Sequence, residues 1–369
     1  MTDSEVEEFA RILVEHSTEI KEGDNVYLIA ESLDSLPLFE ELRRQIIRKG
    51  AFPHEHLLYD SQVGSEGMDY DWMKYASEKQ LETVSEAKKK EMQEMDAYIR
   101  VGGPDNTQEL AGIDSKKISL RKNSTREIFY ERDEKKWVTT RWPTDGLAQS
   151  SDMSTQELRE YILNAVTNVN WKKLKKRNQK IKKKFDSGSK VRITGKKTDI
   201  TFSIESRKGV NCYGKRNVPD GEVFYAPVKN TVNGQIKFTF PGISNGNKVK
   251  DIELEFENGK VIKYHSETNK NFLENMINTD RGSKYIGEFG IGTNREMGQY
   301  IGNSLLDEKI FGTVHLALGR AYKRSMPDGK KGNDSGIHWD LVKDLREKGK
   351  LILDGETVFE DGDWCLNHS

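Results

Sequence analysis

The chain has 369 residues, of which 34% are hydrophobic and 32% charged, a length that suits two cores rather than one. Acidic and basic side chains nearly cancel, 60 against 59, so no net field favours a nucleic acid or an anionic membrane. Two cysteines, Cys212 and Cys365, supply neither a disulfide framework nor a four-thiolate zinc site, and no apolar run reaches the roughly 18 residues of a membrane span.

The opening "MTDSEVEEFARILVEHSTEI" is acidic and amphipathic, without the basic and apolar regions of a secretory signal. A reduced, cytoplasmic setting is therefore the expectation. Val6, Phe9, Ala10, Ile12, Leu13 and His16 fall at helical spacing. "EGDNVYLIAES" follows as a buried strand, "LPLFEELRRQIIRKGA" as a helix stopped at Gly50, and "FPHEHLLYD" as the next strand. "DWMKYASEKQLETVSEAKKKEMQEM" predicts one helical stretch, and "DAYIRVGG" a strand ending in glycines. "STREIFYERDEKKWVTTRWPT" adds another helix and strand. Strands alternating with helices predict a parallel, Rossmann-like α/β sheet.

After "SSDMSTQELREYILNAV", a helix, comes a basic stretch with nine Lys/Arg between Lys172 and Lys184. Trp171, Leu174, Ile181 and Phe185 form a helical stripe there, so a solvated amphipathic helix is favoured over a nucleic-acid-binding one. "DSGS" marks a joint, which places an N-terminal α/β domain at 1–186 and a C-terminal domain at 187–369. Beyond the joint the pattern turns to β. "KVRITG", "TDITFSIES" and "GQIKFTF" alternate, "DIELEFENGKVIKYHSE" is a hairpin with Asn258-Gly259 at its tip, "NKNFLENMI" is a helix, and "KLILDGETVFEDGDW" is a closing hairpin. The second half thus reads as α+β.

That half also gathers an unusual set of acids and histidines. Glu222 in "NVPDGEVFYAP" and Glu288 in "YIGEFGIGTN" sit in apolar stretches, where a carboxylate is costly without a compensating partner such as a metal ion. His338 and Asp340 in "DSGIHWD" point to one side if that segment is extended. Taken singly, Glu308 in "LLDEKIFG" reads as a surface turn, His315 in "TVHLALGRAY" as a hydrogen-bonded core histidine, and Asp340 as a loop residue. Taken jointly, these carboxylates and imidazoles predict a metal site, with zinc, cobalt or manganese suiting the donors better than calcium. His54 and His56 lack the His-Glu-x-x-His spacing and read as structural. "GEFGIG" and "VGGPDN" lack a dinucleotide-binding context, no Walker loop or Gly-x-Ser-x-Gly elbow occurs, and neither cysteine is marked as a nucleophile.

"NVPDGEVFYAP", "YIGEFGIGTN", "LLDEK", "TVHLALGRAY" and "IHWD", in that order, resemble the thermophilic-type metalloaminopeptidases, as do "RWPTDGLAQSSDMSTQEL" and "EGDNVYLIAE". The resemblance spans nearly the whole chain. It implies a C-terminal domain with a dinuclear site whose ligands are Glu222, Glu288, Glu308, His315, His338 and Asp340, holding two divalent ions (zinc, cobalt, manganese or magnesium). It also implies a tyrosine beside the metals, Tyr322, with Glu288 and Tyr322 as the catalytic pair. Peptides with a free N-terminus are the implied substrates and a homodimer the implied assembly. Two rivals stand beside it: a metallohydrolase of non-peptide amides, and a nucleic-acid or partner-binding protein working through the 172–184 lysines.

Overall fold

A computed structural model describes residues 3–58, 67–244 and 246–365. The chain divides into two compact units, Met1–Val169 with Gly214–Asp220, and Asn170–Tyr213 with Gly221–Ser369. The first is α/β. Its sheet is parallel, in the order Phe52–Leu57, Asn25–Ala30, Ala97–Gly102, Lys136–Arg141, Asn217–Val218. Asn25–Ala30, inside the edge strand, is buried along nearly its whole length, as expected of a strand covered on both faces. Phe52–Leu57, at the edge, stays partly exposed; the last two residues of the predicted strand, Tyr59 and Asp60, lie outside the described residues. The helix Leu36–Arg48 buries Leu38, Phe39, Leu42 and Ile46, and Gly50, at φ +74°, follows its end.

The helical stretch predicted across residues 71–95 is three helices, Tyr70–Tyr75, Glu78–Glu82 and Glu86–Glu94. Ser77 and Ser85 break it. Each takes extended backbone, and its hydroxyl accepts from the main-chain NH three residues on, so each starts a new helix instead of continuing the old one. The first predicted helix runs as Asp3–Arg11 and continues in a π-helical turn, Ile12–Ser17.

The second unit opens with the helix Trp171–Asp186, which comes before the predicted joint. Trp171, Leu174, Ile181 and Phe185 are buried, as the stripe predicted, and Asn178 is buried with them. Asn178 Nδ2 donates to the carbonyls of Cys212 (3.0 Å) and Glu222 (3.3 Å), which explains why the helix groups with this unit.

Two large antiparallel sheets and a two-stranded ribbon, Gly242–Ser244 with Asn247–Val249, build most of the rest. The larger runs Lys260–His265, Glu253–Glu257, Asn233–Lys237, Thr198–Ser203, Lys190–Gly195, Lys350–Leu353, Glu356–Glu360, Asp363–Trp364. Both predicted hairpins are present, turning at Asn258-Gly259 and Asp354-Gly355 with all four residues at positive φ, the conformation that tight hairpins demand. The smaller sheet runs His338–Asp344, Thr313–Gly319, Ile286–Gly292, Glu222–Tyr225, Val210–Cys212. One hydrophobic core joins the sheets: Val191, Ile193, Ile200, Phe202 and Leu351 from the larger meet Val223, Phe289, Ile291, Leu316 and Leu341 from the smaller. Phe202 and Phe289 meet edge to face at 5.0 Å.

Candidate metal centre

Side chains alternate along a strand, so if Val223, Phe289, Ile291, Val314, Leu316 and Leu341 feed the core, their neighbours face the other way. The register makes this concrete. Glu222 is opposite Gly292, Gly290 opposite His315, Glu288 opposite Ala317, and Ala317 in turn opposite Asp340. Glu222, Glu288, His315, His338 and Asp340 therefore project from one face across four strands. The "IHWD" segment is extended from His338 onward, which gives the pair its common direction. "GEFGIG" is a wholly buried strand, and its glycines make room: a Cβ at Gly290 would run into the His315 ring.

Glu308 arrives from elsewhere, at the end of the short helix Ser304–Asp307. Three triads interlock. Glu222, Glu288 and His315 offer ligand atoms within 4.8 Å of one another, as do Glu288, His338 and Asp340, and Glu308, His315 and Asp340. His315 Nε2 lies 3.1 Å from Glu288 Oε1 and 3.5 Å from Glu222 Oε2, and His338 Nε2 lies 3.4 Å from Asp340 Oδ1. His338 Nδ1 donates to the Arg320 carbonyl at 2.8 Å, which leaves Nε2 facing the cluster.

Glu308 is buried rather than at a surface turn, and His315 is buried as a core histidine would be. Lys309, which the sequence gave no reason to single out, is fully buried beside them. Its Nζ lies 2.7 Å from Glu222 Oε1 and 2.6 Å from Glu308 Oε1. An alternating Asp-Glu-Lys turn carries no local signal of burial; only the tertiary fold brings this ammonium to the acids.

Electrostatics follow from that crowding. Burial and the neighbouring Glu222 push the Glu288 carboxyl up, although the His315 hydrogen bond opposes the shift. Burial lifts Glu308 well above the usual carboxylate range, with Asp340 and Glu222 adding to it against Lys309. Burial alone would depress His315, but its bond to Glu288 and the fields of Glu222, Asp340 and Glu308 raise it to about 9. His338 is raised too, by Tyr322 and Asp340 acting against its own burial. Burial opposes ionisation of Asp340 as well, yet His338 beside it holds this carboxyl far below the usual range.

Do the residues fit a divalent cation? Glu222 Oε2, Glu288 Oε2, Asp340 Oδ1 and His315 Nδ1 are buried and make no hydrogen bond. Four carboxylates, two imidazoles and one lysine crowd together here, and these orphaned oxygens and nitrogen are atoms that a cation would engage. The donor set is nitrogen and oxygen only, the kind that zinc, cobalt and manganese take. The residues fit.

Tyr322 follows the strand Thr313–Gly319. Its ring lies 4.7 Å from that of His338 and 5.8 Å from that of Phe224, on the cluster's face of the sheet. At 37% relative exposure it stands at the rim, where a bound molecule can touch it. Ser325 Oγ accepts from the Ala226 NH at 2.7 Å and so ties the Tyr322 turn to the Glu222 strand. His54 and His56 lie in the first unit: His54 Nε2 is 3.1 Å from Asn25 Oδ1, and His56 Nε2 is 2.7 Å from Glu91 Oε1.

Carboxylates and imidazoles converging on one sheet face make a metal-competent centre of the hydrolytic kind. The profile of the thermophilic metalloprotease (M29) family matches residues 2–364, and the chain belongs to that family. Aminopeptidase 2 of Geobacillus stearothermophilus is 23% identical over 416 aligned residues, spanning 99% of this chain and 98% of that protein. Aminopeptidase AmpS of Bacillus subtilis is 31% identical over 169 residues, 41% of this chain and 40% of that protein. Among solved structures, wild-type AmpT from Thermus thermophilus matches with a TM-score of 0.84 at 20% identity, over 98% of this chain and 99% of that one. A 2,5-dihydroxypyridine dioxygenase from Pseudomonas putida shares the fold at a TM-score of 0.60 and 11% identity, over 100% of this chain and 99% of that one. The fold alone therefore does not choose the chemistry; the family does, and the chain is a metal-dependent hydrolase of the aminopeptidase type.

Proposed function

We propose that this enzyme removes N-terminal residues from peptides with two divalent ions held by Glu222, Glu288, Glu308, His315, His338 and Asp340. The interlocking of the three triads carries the reading: Glu288, His315 and Asp340 each belong to two of them, which suits two neighbouring ions better than one. When bound, such ions supply Lewis acidity and acidify a water molecule. Zinc, cobalt, manganese and magnesium are the candidates.

The chain's own groups do the rest. Glu288, raised by burial, takes the proton of the attacking water at Oε2 and returns it to the leaving amine. Tyr322 keeps its phenolic proton, because desolvation of its hydroxyl and the nearby carboxylates raise its pKa against the pull of His338, and the hydroxyl donates a hydrogen bond to the developing oxyanion. His338, fixed by Arg320, holds its ring against that of Tyr322. The free amine of the substrate meets the excess of carboxylates, which accounts for an exopeptidase preference. The second unit is proposed as the catalytic one, in a cytoplasmic homodimer.

Metal content of the purified protein tests this. Mass spectrometry should find close to two divalent ions in the wild type and sharply fewer in His338→Ala/Asp340→Ala, with cleavage of aminoacyl anilides lost in parallel. No bound metal after supplying zinc, cobalt or manganese would overturn the metal reading. Loaded protein that cleaves only non-peptide amides in a substrate panel would overturn the peptide one.

A further inference from the structure

A lysine seldom leaves water altogether unless its charge is answered. The Lys309 side chain is fully buried, and its ammonium meets two carboxylates, Glu222 Oε1 at 2.7 Å and Glu308 Oε1 at 2.6 Å. The backbone that carries it is anchored at the same place. The Lys309 NH donates to the Leu306 carbonyl at 3.1 Å, and the Lys309 carbonyl accepts from the Asn294 NH at 3.1 Å. Thr293, next to Asn294, donates its NH at 2.8 Å to the carbonyl of Gly221, the residue before Glu222. A Cβ at Gly221 would run into Asn294, so these segments pack closely. Together they hold the root of the Lys309 side chain beside the strand that carries Glu222.

The two acids that Lys309 joins come from different elements. Glu222 is the first residue of the strand Glu222–Tyr225, and Glu308 ends the helix Ser304–Asp307. Each gives the ammonium one oxygen. Glu222 Oε2 stays buried without a hydrogen bond, 3.5 Å from His315 Nε2. We propose that Lys309 is a positioning residue: it ties up one oxygen of Glu222 and one of Glu308, so that each acid offers only its other oxygen to an ion. The inference rests on the two-ion reading above and adds a division of labour to it. Glu222 belongs to one of the three triads and Glu308 to another, while Glu288, His338 and Asp340 include neither. The Lys309 contacts thus reach two triads and spare the third. A side chain enclosed in this way does not touch substrate, so it acts through the acids it holds. An ammonium also repels a nearby cation. Orientation outweighs that repulsion, because without Lys309 two buried carboxylates lose their donor at once and turn from the cluster.

Zinc titration of the metal-free, full-length protein by calorimetry tests this, with bound ions counted by mass spectrometry. The wild type should take up two ions. Lys309→Met, similar in length but uncharged, should keep the ion at Glu288, His338 and Asp340 and bind the other about 10–100-fold more weakly, as when the partner behind a ligand is removed. Lys309→Gln, which keeps a donor without the charge, should fall between them, and it decides the matter if Lys309→Met does not fold. The absorption bands of the cobalt-loaded variants should change shape as well, which a loss of stability alone would not produce. Two ions bound by the variants as in the wild type would overturn the proposal and leave the two-ion reading intact. So would tighter binding, which would mean that the ammonium competes for the carboxylates, and so would an equal weakening of both ions. A wild type with fewer than two ions would overturn both.

Discussion

At the scale of single residues, Tyr322 separates binding from turnover. Its hydroxyl is no part of the three triads, so Tyr322→Phe should keep its metal, measured by mass spectrometry. The variant should lose about 10²–10³ in kcat, as when one oxyanion donor is removed. Unchanged kcat would take Tyr322 out of the reaction. Gly290 and Lys309 show how unevenly the residues of the site can be read in advance. His338 and Asp340 announce themselves by spacing, and Glu222 and Glu288 by their apolar surroundings. Lys309 does not, because a lysine after an Asp-Glu pair looks the same whether its tip meets water or two buried carboxylates. Which acids share a face is equally hidden in composition, since it depends on pairings between strands tens of residues apart.

Elements place these residues, and one loop bears directly on His338. Asp280 accepts from the Gly336 NH at 2.6 Å and from Ser335 Oγ at 2.9 Å, while also accepting from the NH groups of Gly282 and Ser283. It clasps the segment that leads into the His338 strand. Burial works against its charge, but these bonds outweigh burial and hold its carboxyl below the usual range. A depressed acid stabilises above its unfolded pKa, and that contribution is lost as pH falls through the folded value. Asp280→Ala should therefore cost about 2 kcal/mol near neutral pH, less toward pH 3, and weaken metal binding at His338. Urea unfolding at both pH values checks it, and an equal loss at each would contradict the assignment. The same scale explains which elements could be read from the sequence. Asn-Gly and Asp-Gly fixed both hairpins because few other turns suit those pairs. Across residues 71–95, helical spacing concealed two serine caps, whose hydroxyls restart the helix where periodicity predicts continuity.

For the whole molecule, the crowded acids and imidazoles tie stability to pH. His315 is raised to about 9 and His338 is raised as well. Asp307, mainly through burial, is raised to about 7. Groups raised on folding stabilise most below their unfolded pKa, and that stability drains away as pH climbs through the folded value. Asp307 loses its contribution between about pH 4 and 7, and the histidines lose theirs above about pH 6.5, so the metal-free protein should melt at progressively lower temperature up to about pH 9. A bound ion favours the deprotonated ligands, so the metal-loaded protein should lose far less over that range, and the gap between the two should widen with pH. Melting curves with and without chelator at three pH values would settle the point; a constant gap would mean that these groups do not titrate with metal binding. The two-unit α/β and α+β plan was legible from alternation and turn residues alone. The division at Val169/Asn170 was not, because the helix Trp171–Asp186 follows its neighbour without a break in composition and is assigned by what it packs against.

The smaller sheet of the second unit sends one side of each strand into the apolar core and the other to the acids and imidazoles. Period two makes these roles exchangeable by the smallest error a strand can make. A slip of one residue along Ile286–Gly292 or His338–Asp344 would thrust a carboxylate among Phe202, Leu316 and Leu351 and turn phenylalanine or tryptophan toward the acids and imidazoles. Core and acid–imidazole cluster therefore proofread the same pairing from opposite sides. A chain refolding in the presence of metal has two independent reasons to reject the wrong register.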